Sequence, residues 1–142
     1  GRKIAREKGA TMFALIARMR DDAKLLTGEL SVIGERQVRA LVALEQAVVW
    51  IVDQFSADPK AVHAGAVPFL NLFGIVAGGW QLGRAANYAT QQILEGNGDN
   101  FWPAKCATAR FFADHFLTQV EGLSQAVMAG AVGALAIDDD SF

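Results

Sequence analysis

Residues 59–94 read PKAVHAGAVPFLNLFGIVAGGWQLGRAANYATQQIL and lie between two clear helix-breaking signals. Before this stretch, Asp58 can cap a helix that has Pro59 at its first position. After it, the run EGNGDN at 95–100 is typical of a loop. The apolar spacing predicts a helix throughout, with a kink or restart at Pro68. Its expected apolar face consists of Leu70, Phe73, Ala77, Trp80 or Gln81, Arg84 and Tyr88.

Three further stretches carry a helical period. The first covers residues 2–26 and ends before Gly28, which can supply a left-handed cap. The second covers residues 31–55. Its β-branched content makes a pair of strands the competing prediction, but the absence of a turn residue after Gly34 favours a helix. The last begins near residue 102 and fades near residue 133. The apolar stripes of the first and last are Met12, Ile16, Met19, Ala23 and Leu26, and Phe112, Phe116, Val120, Leu123 and Val127.

The order of these segments predicts the architecture. No stretch shows the alternation of a strand, and the connections between the helices are short. Short connections make consecutive helices antiparallel neighbours. The sequence therefore predicts an all-α fold, an antiparallel up-down-up-down four-helix bundle, over residues 1–137. Residues 138–142 are predicted to form an acidic tail.

The composition sets limits on the class of protein. With 52% hydrophobic and 20% charged residues among 142, the chain can bury one sizeable core, which excludes intrinsic disorder. Cys106 is the only cysteine, so no disulfide can form within the chain. The net charge of −2 argues against a nucleic-acid partner. The charge is uneven, because nine basic and five acidic residues precede residue 40.

No basic-then-apolar signal region opens the sequence. The longest apolar stretch, residues 64–80, is interrupted by Pro68 and Asn71 and ends at Gln81. It falls short of the roughly 20 residues that a membrane span needs. We therefore expect no membrane span and a cytoplasmic protein.

A metal site in a helix bundle would need Glu-x-x-His pairs on two helices. The two histidines are His63 and His115, and neither has Glu three residues before it. Glu45 lies on an apolar stripe, where an ion pair with Arg84 or Arg110 is favoured over a ligand role. The sequence therefore predicts no metal site.

Nucleophilic catalysis has equally weak support. Cys106 follows Lys105 near a predicted helix start, where a thiolate would be favoured, but His115 is nine residues further on. A small core residue is the favoured interpretation of Cys106, and a hydrogen-bonded structural histidine that of His115. The residues alone therefore predict no catalytic and no cofactor-binding side chains.

Two longer motifs resemble a known family. They are GAVPFLNLFG at 65–74, continued by AGGW at 77–80, and KCATARFFADHFL at 105–117, followed by AGA at 129–131. They resemble the C-terminal helical domain of the acyl-CoA dehydrogenases, in the branch that includes the methylmercaptopropionyl-CoA dehydrogenases. The resemblance extends from about Met12 to Ala131. Thr118 stands where the family usually has Pro, a change that favours a straighter helix.

The resemblance implies a structural and assembly role, with catalysis elsewhere in a larger parent. The family's catalytic glutamate and its flavin-binding segments match no residues of this chain. FAD and the α,β-dehydrogenation of an acyl-CoA thioester would then belong to the parent, and this fragment would hold no cofactor. Gly1-Arg2-Lys3 resembles the end of the helix that follows the catalytic core. The expected partners are the parent's dehydrogenase core and further copies in a homo-oligomer.

Within this interpretation, small residues along the third predicted helix let another helix approach closely. Trp80 can pack over these glycines, and three polar residues can tie helices together or face the parent's core. The candidate packing and interface residues are Gly74, Gly78, Gly79, Trp80, Gly83, Arg84, Arg110 and His115.

The alternative hypothesis is a free-standing helical-bundle module that binds a small apolar ligand or a partner helix. A start codon directly before Gly1 would favour it, whereas a long reading frame upstream would favour a domain of a dehydrogenase. A third possibility, docking on nucleic acid, is disfavoured by the net charge of −2.

Overall fold

The computed structural model describes residues 2–55 and 57–129, with side chains from residue 6 onwards, and all of its regular structure is helical. The α-helices are α1 (Arg2–Lys24), α2 (Ser31–Gln54), α3 (Pro59–Ala64), α4 (Ala66–Leu94), α5 (Phe101–His115) and α6 (Val120–Ala129). Short 3₁₀ turns lie at Gly28–Leu30 and Leu117–Gln119. The end of the predicted bundle, residues 130–137, the acidic tail and Gly1 lie outside the described residues.

The predicted all-α bundle is confirmed, with α1, α2, α4 and the pair α5–α6 as its four rods. Gly9 lies against Val52 and Gly34 against Leu26, so α1 and α2 run antiparallel. Asp22 of α1 meets Trp80 of α4, so these rods also touch. The core lies between the rods, with α2 packed on all the others.

The contacts of α4 with α5, and of α2 with α6, give the directions of the remaining helices. Gly78 lies against Phe112, and Thr90 lies against Cys106, so α4 and α5 run antiparallel. The contacts between α2 and α6 instead follow the same direction along both helices. Arg39 pairs with Glu121, and further along each helix Ala43 accepts a hydrogen bond from Ser124. The second and fourth rods are therefore parallel, which is the pattern of an up-down-up-down bundle.

The boundaries of α4 agree with the capping signals in the sequence. The Asp58 side chain accepts a hydrogen bond from the Ala61 backbone N–H at 3.2 Å, so it caps α3 as predicted. The loop after α4 covers residues 95–100, and Gly96 adopts a φ of 88°, which favours glycine.

The restart inside the predicted third helix is real but lies before Pro68. The helix is interrupted at Gly65, where an added Cβ would lie 3.0 Å from the carbonyl oxygen of Val127. Pro68 instead occupies the first turn of α4, where its missing N–H removes no helical hydrogen bond. The proline and the packing of α6 both favour this division, because the ring of a helical proline clashes with the carbonyl four residues earlier, here that of Ala64 at the end of α3.

The predicted apolar face of α4 is right only in part, because Phe73, Ala77 and Trp80 pack against the core from partly buried positions whereas the ends of the face do not. Leu70 and Tyr88 are 68% and 55% exposed. The buried residues of α4 are Leu72, Val76, Gly79, Gly83, Ala86 and Ala89. Small residues bring neighbouring backbones close, and a face assigned from bulky side chains misses them. On α1, by contrast, the predicted stripe from Ile16 to Leu26 is buried as expected.

The predicted fourth helix is divided at Phe116, so the straighter helix expected from Thr118 is also wrong. Thr118 Oγ1 donates to the Asp114 backbone oxygen at 2.9 Å, and Gln119 Nε2 donates to that of His115 at 2.7 Å. These two bonds satisfy carbonyl groups that the end of α5 would leave unpaired. The predicted end near residue 133 lies outside the described residues.

By length and composition alone, α4 could cross a membrane. Its most apolar 18-residue window has a mean hydropathy of 1.2, and 22% of that window is buried. A helix that packs inside a bundle passes the same test. The expectation of no membrane span therefore stays a prediction.

We expect Gly79→Ala to lower the free energy of unfolding by about 1–3 kcal/mol, because overpacking forces neighbours to move. The added Cβ would lie 2.5 Å from Gln37 Oε1 and 2.8 Å from Leu117 Cδ2. Gly74→Ala is the control, since nothing lies within 4 Å of its Cβ. This control should raise stability by roughly 0.5–1 kcal/mol. Urea unfolding followed by circular dichroism measures both, and shifts of the same sign would contradict the packing argument.

Candidate functional site

Three of the four predicted packing glycines on α4 lie against a neighbouring part of the bundle. An added Cβ at Gly78 would lie 3.2 Å from Phe112 Cζ on α5, and one at Gly83 would lie 3.0 Å from Leu26 Cδ1. Gly79 faces α2. Gly74 has nothing within 4 Å of an added Cβ. The glycines therefore let α5, α2 and the turn after α1 approach α4 closely.

Gln37 is a buried polar residue that sequence reasoning missed. Its side chain is 1% exposed, and its Nε2 donates to the Val76 backbone oxygen at 3.1 Å. Its Oε1 faces Gly79 and has no hydrogen-bond partner among the described residues. The signal was available, because Gln37 lies midway between the apolar residues Ile33 and Leu41 at helical spacing.

Trp80 lies at the centre of a polar contact between α1 and α4, which we call the Trp80 clamp. Its Nε1 donates to Asp22 Oδ2 at 2.7 Å. The guanidinium carbons of Arg84 and Arg18 lie 5.5 and 5.8 Å from the ring centroid. Arg84 Nε also lies 3.9 Å from the same Asp22 oxygen. Two of the predicted residues, Trp80 and Arg84, therefore tie two helices together.

Two arginines from different helices bind the Asp114 carboxylate. Its two carboxylate oxygens accept hydrogen bonds from Arg36 Nε on α2 at 2.8 Å and from Arg110 Nε on α5 at 2.9 Å. Burial by itself would raise the pKa of the Asp114 carboxyl. The hydrogen bonds and charges of Arg110 and Arg36 outweigh burial and hold that pKa below its usual range. Arg110 thus orients the carboxylate that joins α5 to α2.

The predicted partner of Glu45 is wrong. Its Oε2 lies 2.6 Å from an Nη of Arg20 on α1, and not beside Arg84 or Arg110. The Glu45 side chain is 41% exposed. It forms a tie between α1 and α2 at the edge of the core, because the helix turns its carboxylate toward α1.

His115 lies at the surface. Its ring centroid is 4.4 Å from that of Phe111, which is 60% exposed, and Phe116 beside them is 40% exposed. We call Phe111, His115 and Phe116 the aromatic patch. Cys106, in contrast, is partly buried, and its Sγ donates to the Ala86 backbone oxygen at 3.6 Å. The structure does not bring Cys106 into the aromatic patch.

A second surface feature lies where α1, α2 and α4 meet beside α3. This apolar groove has a volume of about 430 Å³. Its lining includes Met12, Ile51, Phe55, Phe69 and Leu70, with Lys8 as its charged member among the described residues. No group of three or more metal-ligating side chains occurs anywhere in the described part of the chain.

Trp80→Phe tests the clamp. The substitution removes the hydrogen bond to Asp22 and weakens the stacking of two arginines, so we expect a loss of about 1–2 kcal/mol in the free energy of unfolding. Trp102→Phe is the control, because the buried Trp102 Nε1 has no hydrogen-bond partner among the described residues. Chemical unfolding of both variants measures the difference. Equal losses would mean that the clamp adds no stability beyond its packing.

Asp114→Asn tests the ion-pair network through pH. Because the folded-state pKa of Asp114 is lowered, its stabilisation is fully present above the unfolded pKa of about 3.9 and is lost as pH falls through the folded pKa. The variant should unfold at a lower temperature than the unmodified chain near neutral pH. The gap should close as the pH falls below about 4. Asp21→Asn, at an exposed position outside this network, is the control. A gap that is constant with pH would contradict the assignment.

Comparison with known proteins places these features in a family. Residues 10–138 match the family described as "Acetyl-CoA dehydrogenase C-terminal like". The chain is also 34% identical over 126 residues to 3-methylmercaptopropionyl-CoA dehydrogenase from Ruegeria pomeroyi, an alignment that covers 84% of this chain and 21% of that protein. The chain thus spans about a fifth of the length of the curated relative it matches. Because the family match includes α2 to α6 and most of α1, the chain belongs to the C-terminal domain family of the acyl-CoA dehydrogenases.

Proposed function

We propose that this chain is a structural and assembly domain of a flavin-dependent acyl-CoA dehydrogenase and performs no catalysis by itself. The observation that carries the proposal is the family match over residues 10–138. The contacts of the candidate residues agree with it. Trp80, Arg84 and Arg110 are engaged in ties between or along helices, and do not converge on one pocket.

The chemistry would then lie in the parent protein. The relative's name describes a dehydrogenase of a CoA thioester. We propose that the parent removes the α and β hydrogens of an acyl-CoA with FAD as the acceptor, and that it works in the cytoplasm. The catalytic base and the flavin-binding residues would be outside this chain, since the resemblance matches none of them here.

The aromatic patch is our candidate for the surface that meets the parent's core or a second subunit. Exposed aromatic side chains are enriched where proteins associate. Phe111 and Phe116 leave large apolar areas in contact with water, and His115 adds a polar edge to them. The patch lies at the end of α5, next to the packed interior, because the Phe116 ring stacks at 5.1 Å on Phe112, which lies against Gly78.

A second candidate function is a free-standing bundle that binds a small apolar ligand or a partner helix. The apolar groove is the observation that favours it. The gene upstream of residue 1 discriminates between the two. A long open reading frame that encodes flavin-binding segments supports the dehydrogenase domain, and a stop codon followed by a start codon supports the free-standing module.

The purified chain should contain no flavin and should not oxidise acyl-CoA thioesters, because neither the base nor the flavin site is expected here. The absorbance spectrum of the purified chain and an artificial-acceptor assay with a range of acyl-CoA substrates measure this. A yellow chromophore that copurifies with the chain, or measurable turnover, would falsify the proposal.

The proposed assembly role is tested in the full-length parent protein. In the full-length protein, Phe111→Ser should weaken association, as measured by light scattering across a dilution series. Leu94→Ser changes a side chain that is 80% exposed outside the patch and should leave association unchanged. Association that is insensitive to Phe111→Ser would remove the aromatic patch from the proposal.

A further inference from the structure

The apolar groove has the chemistry of a site for an amphiphilic small molecule. We propose that it binds one straight alkyl chain that carries an anionic head group, of the class of fatty carboxylates. This inference is independent of the proposed role in a dehydrogenase. It concerns what the bundle binds, whether or not the bundle is part of a larger enzyme.

The walls of the groove come from several helices. The first half of α1, the end of α2 and the start of α4 contribute most of the lining, and Val62 of α3 completes it. A Cβ built on Gly9 would lie 2.7 Å from Val52 Cγ2, so glycine lets α1 approach α2 at this end. The volume of about 430 Å³ falls in the range of roughly 300–1,000 Å³ that is usual for small-molecule sites.

The polarity of the lining indicates which class of ligand the groove would bind. Among the described lining residues, Lys8 is the only charged one, and its ammonium is exposed. No lining residue in the described part of the chain carries a carboxylate. A ligand with polar groups along its length would bury them without hydrogen-bond partners, which costs free energy. A ligand whose single polar group is a negatively charged head avoids this desolvation cost, because the head can lie near Lys8.

The exposure of the lining indicates what a ligand would gain. Leu70 is 68% exposed and Phe55 is 37% exposed, so both leave apolar surface in water. Val48, behind them on α2, is only 4% exposed and belongs to the packed core. An alkyl chain laid along this surface would cover the exposed side chains while resting on a wall that is already packed. Covering apolar surface is the main source of binding free energy here.

A chain-length series tests the alkyl part. Octanoate, decanoate, dodecanoate and tetradecanoate are titrated into the purified chain by isothermal titration calorimetry, below their micelle concentrations. Each added methylene should tighten binding by about fourfold until the groove is filled. No measurable binding of any of the four, or an affinity that does not change with chain length, would overturn the proposal.

Two pairs of variants test the location. Ala66→Phe places a large side chain in the lining and should abolish dodecanoate binding. Ala104→Phe makes the same change at an exposed position on α5 and should leave binding unchanged. Lys8→Gln should weaken dodecanoate binding by about two- to fivefold, the scale of an exposed ion pair, and leave dodecanol binding unaltered. Lys60→Gln, on α3 and outside the lining, is its control.

Other occupants give different results. If dodecanoate does not bind and light scattering shows a dimer that Ala66→Phe dissociates, the groove is an interface between copies, and the proposal is wrong. If the alkyl ligand binds equally to the Ala66→Phe and Ala104→Phe variants, both shown to be folded by circular dichroism, the site is elsewhere, and the proposal is again wrong. None of these outcomes changes the flavin test of the purified chain, so the two proposals stand or fall separately.

Discussion

The close approach of two helices and of the turn after α1 to the glycines of α4 is the constraint on which the rest of the structure depends. Gly78 and Gly79 bring α5 and α2, and Gly83 brings Leu26 in the turn after α1, to distances at which an added Cβ would meet another side chain at 3.2 Å or less. A helix that packs through glycines has little apolar bulk of its own at the contact. Its neighbours therefore supply most of the buried side chains, such as Leu41 of α2 and Met19 of α1.

Polar ties surround this core and fix how the helices are rotated. The Trp80 clamp joins α4 to α1, Asp114 joins α5 to α2, and Glu45 joins α2 to α1. The ion pairs among these ties are partly exposed, so each adds only modest stability. Directional hydrogen bonds nevertheless specify one arrangement of the rods. The contacts of the candidate residues Trp80 and Arg84 are therefore ties between α4 and α1.

Two surfaces remain after the core and the ties are accounted for. The aromatic patch presents Phe111 and Phe116 at the end of α5, and the apolar groove lies at the junction of α1, α2 and α4. They differ in chemistry. The patch is aromatic with a histidine at its edge, which suits a protein surface, whereas the groove is aliphatic and aromatic with Lys8 at its rim, which suits a molecule with a single polar end. We therefore propose that the domain supports its parent through the aromatic patch and binds a small molecule in the apolar groove.

The sequence by itself determined the helical class, the antiparallel order, the cap at Asp58 and the loop at residues 95–100, because these follow from local spacing and turn chemistry. The family motifs were also readable without coordinates, and the glycines of α4 were identified as packing residues. Only the tertiary structure decided which residues of α4 are buried and that Glu45 pairs with Arg20. Each of these depends on a group far away in the chain. A glycine or a carboxylate carries no local signal of which distant backbone or arginine will lie against it.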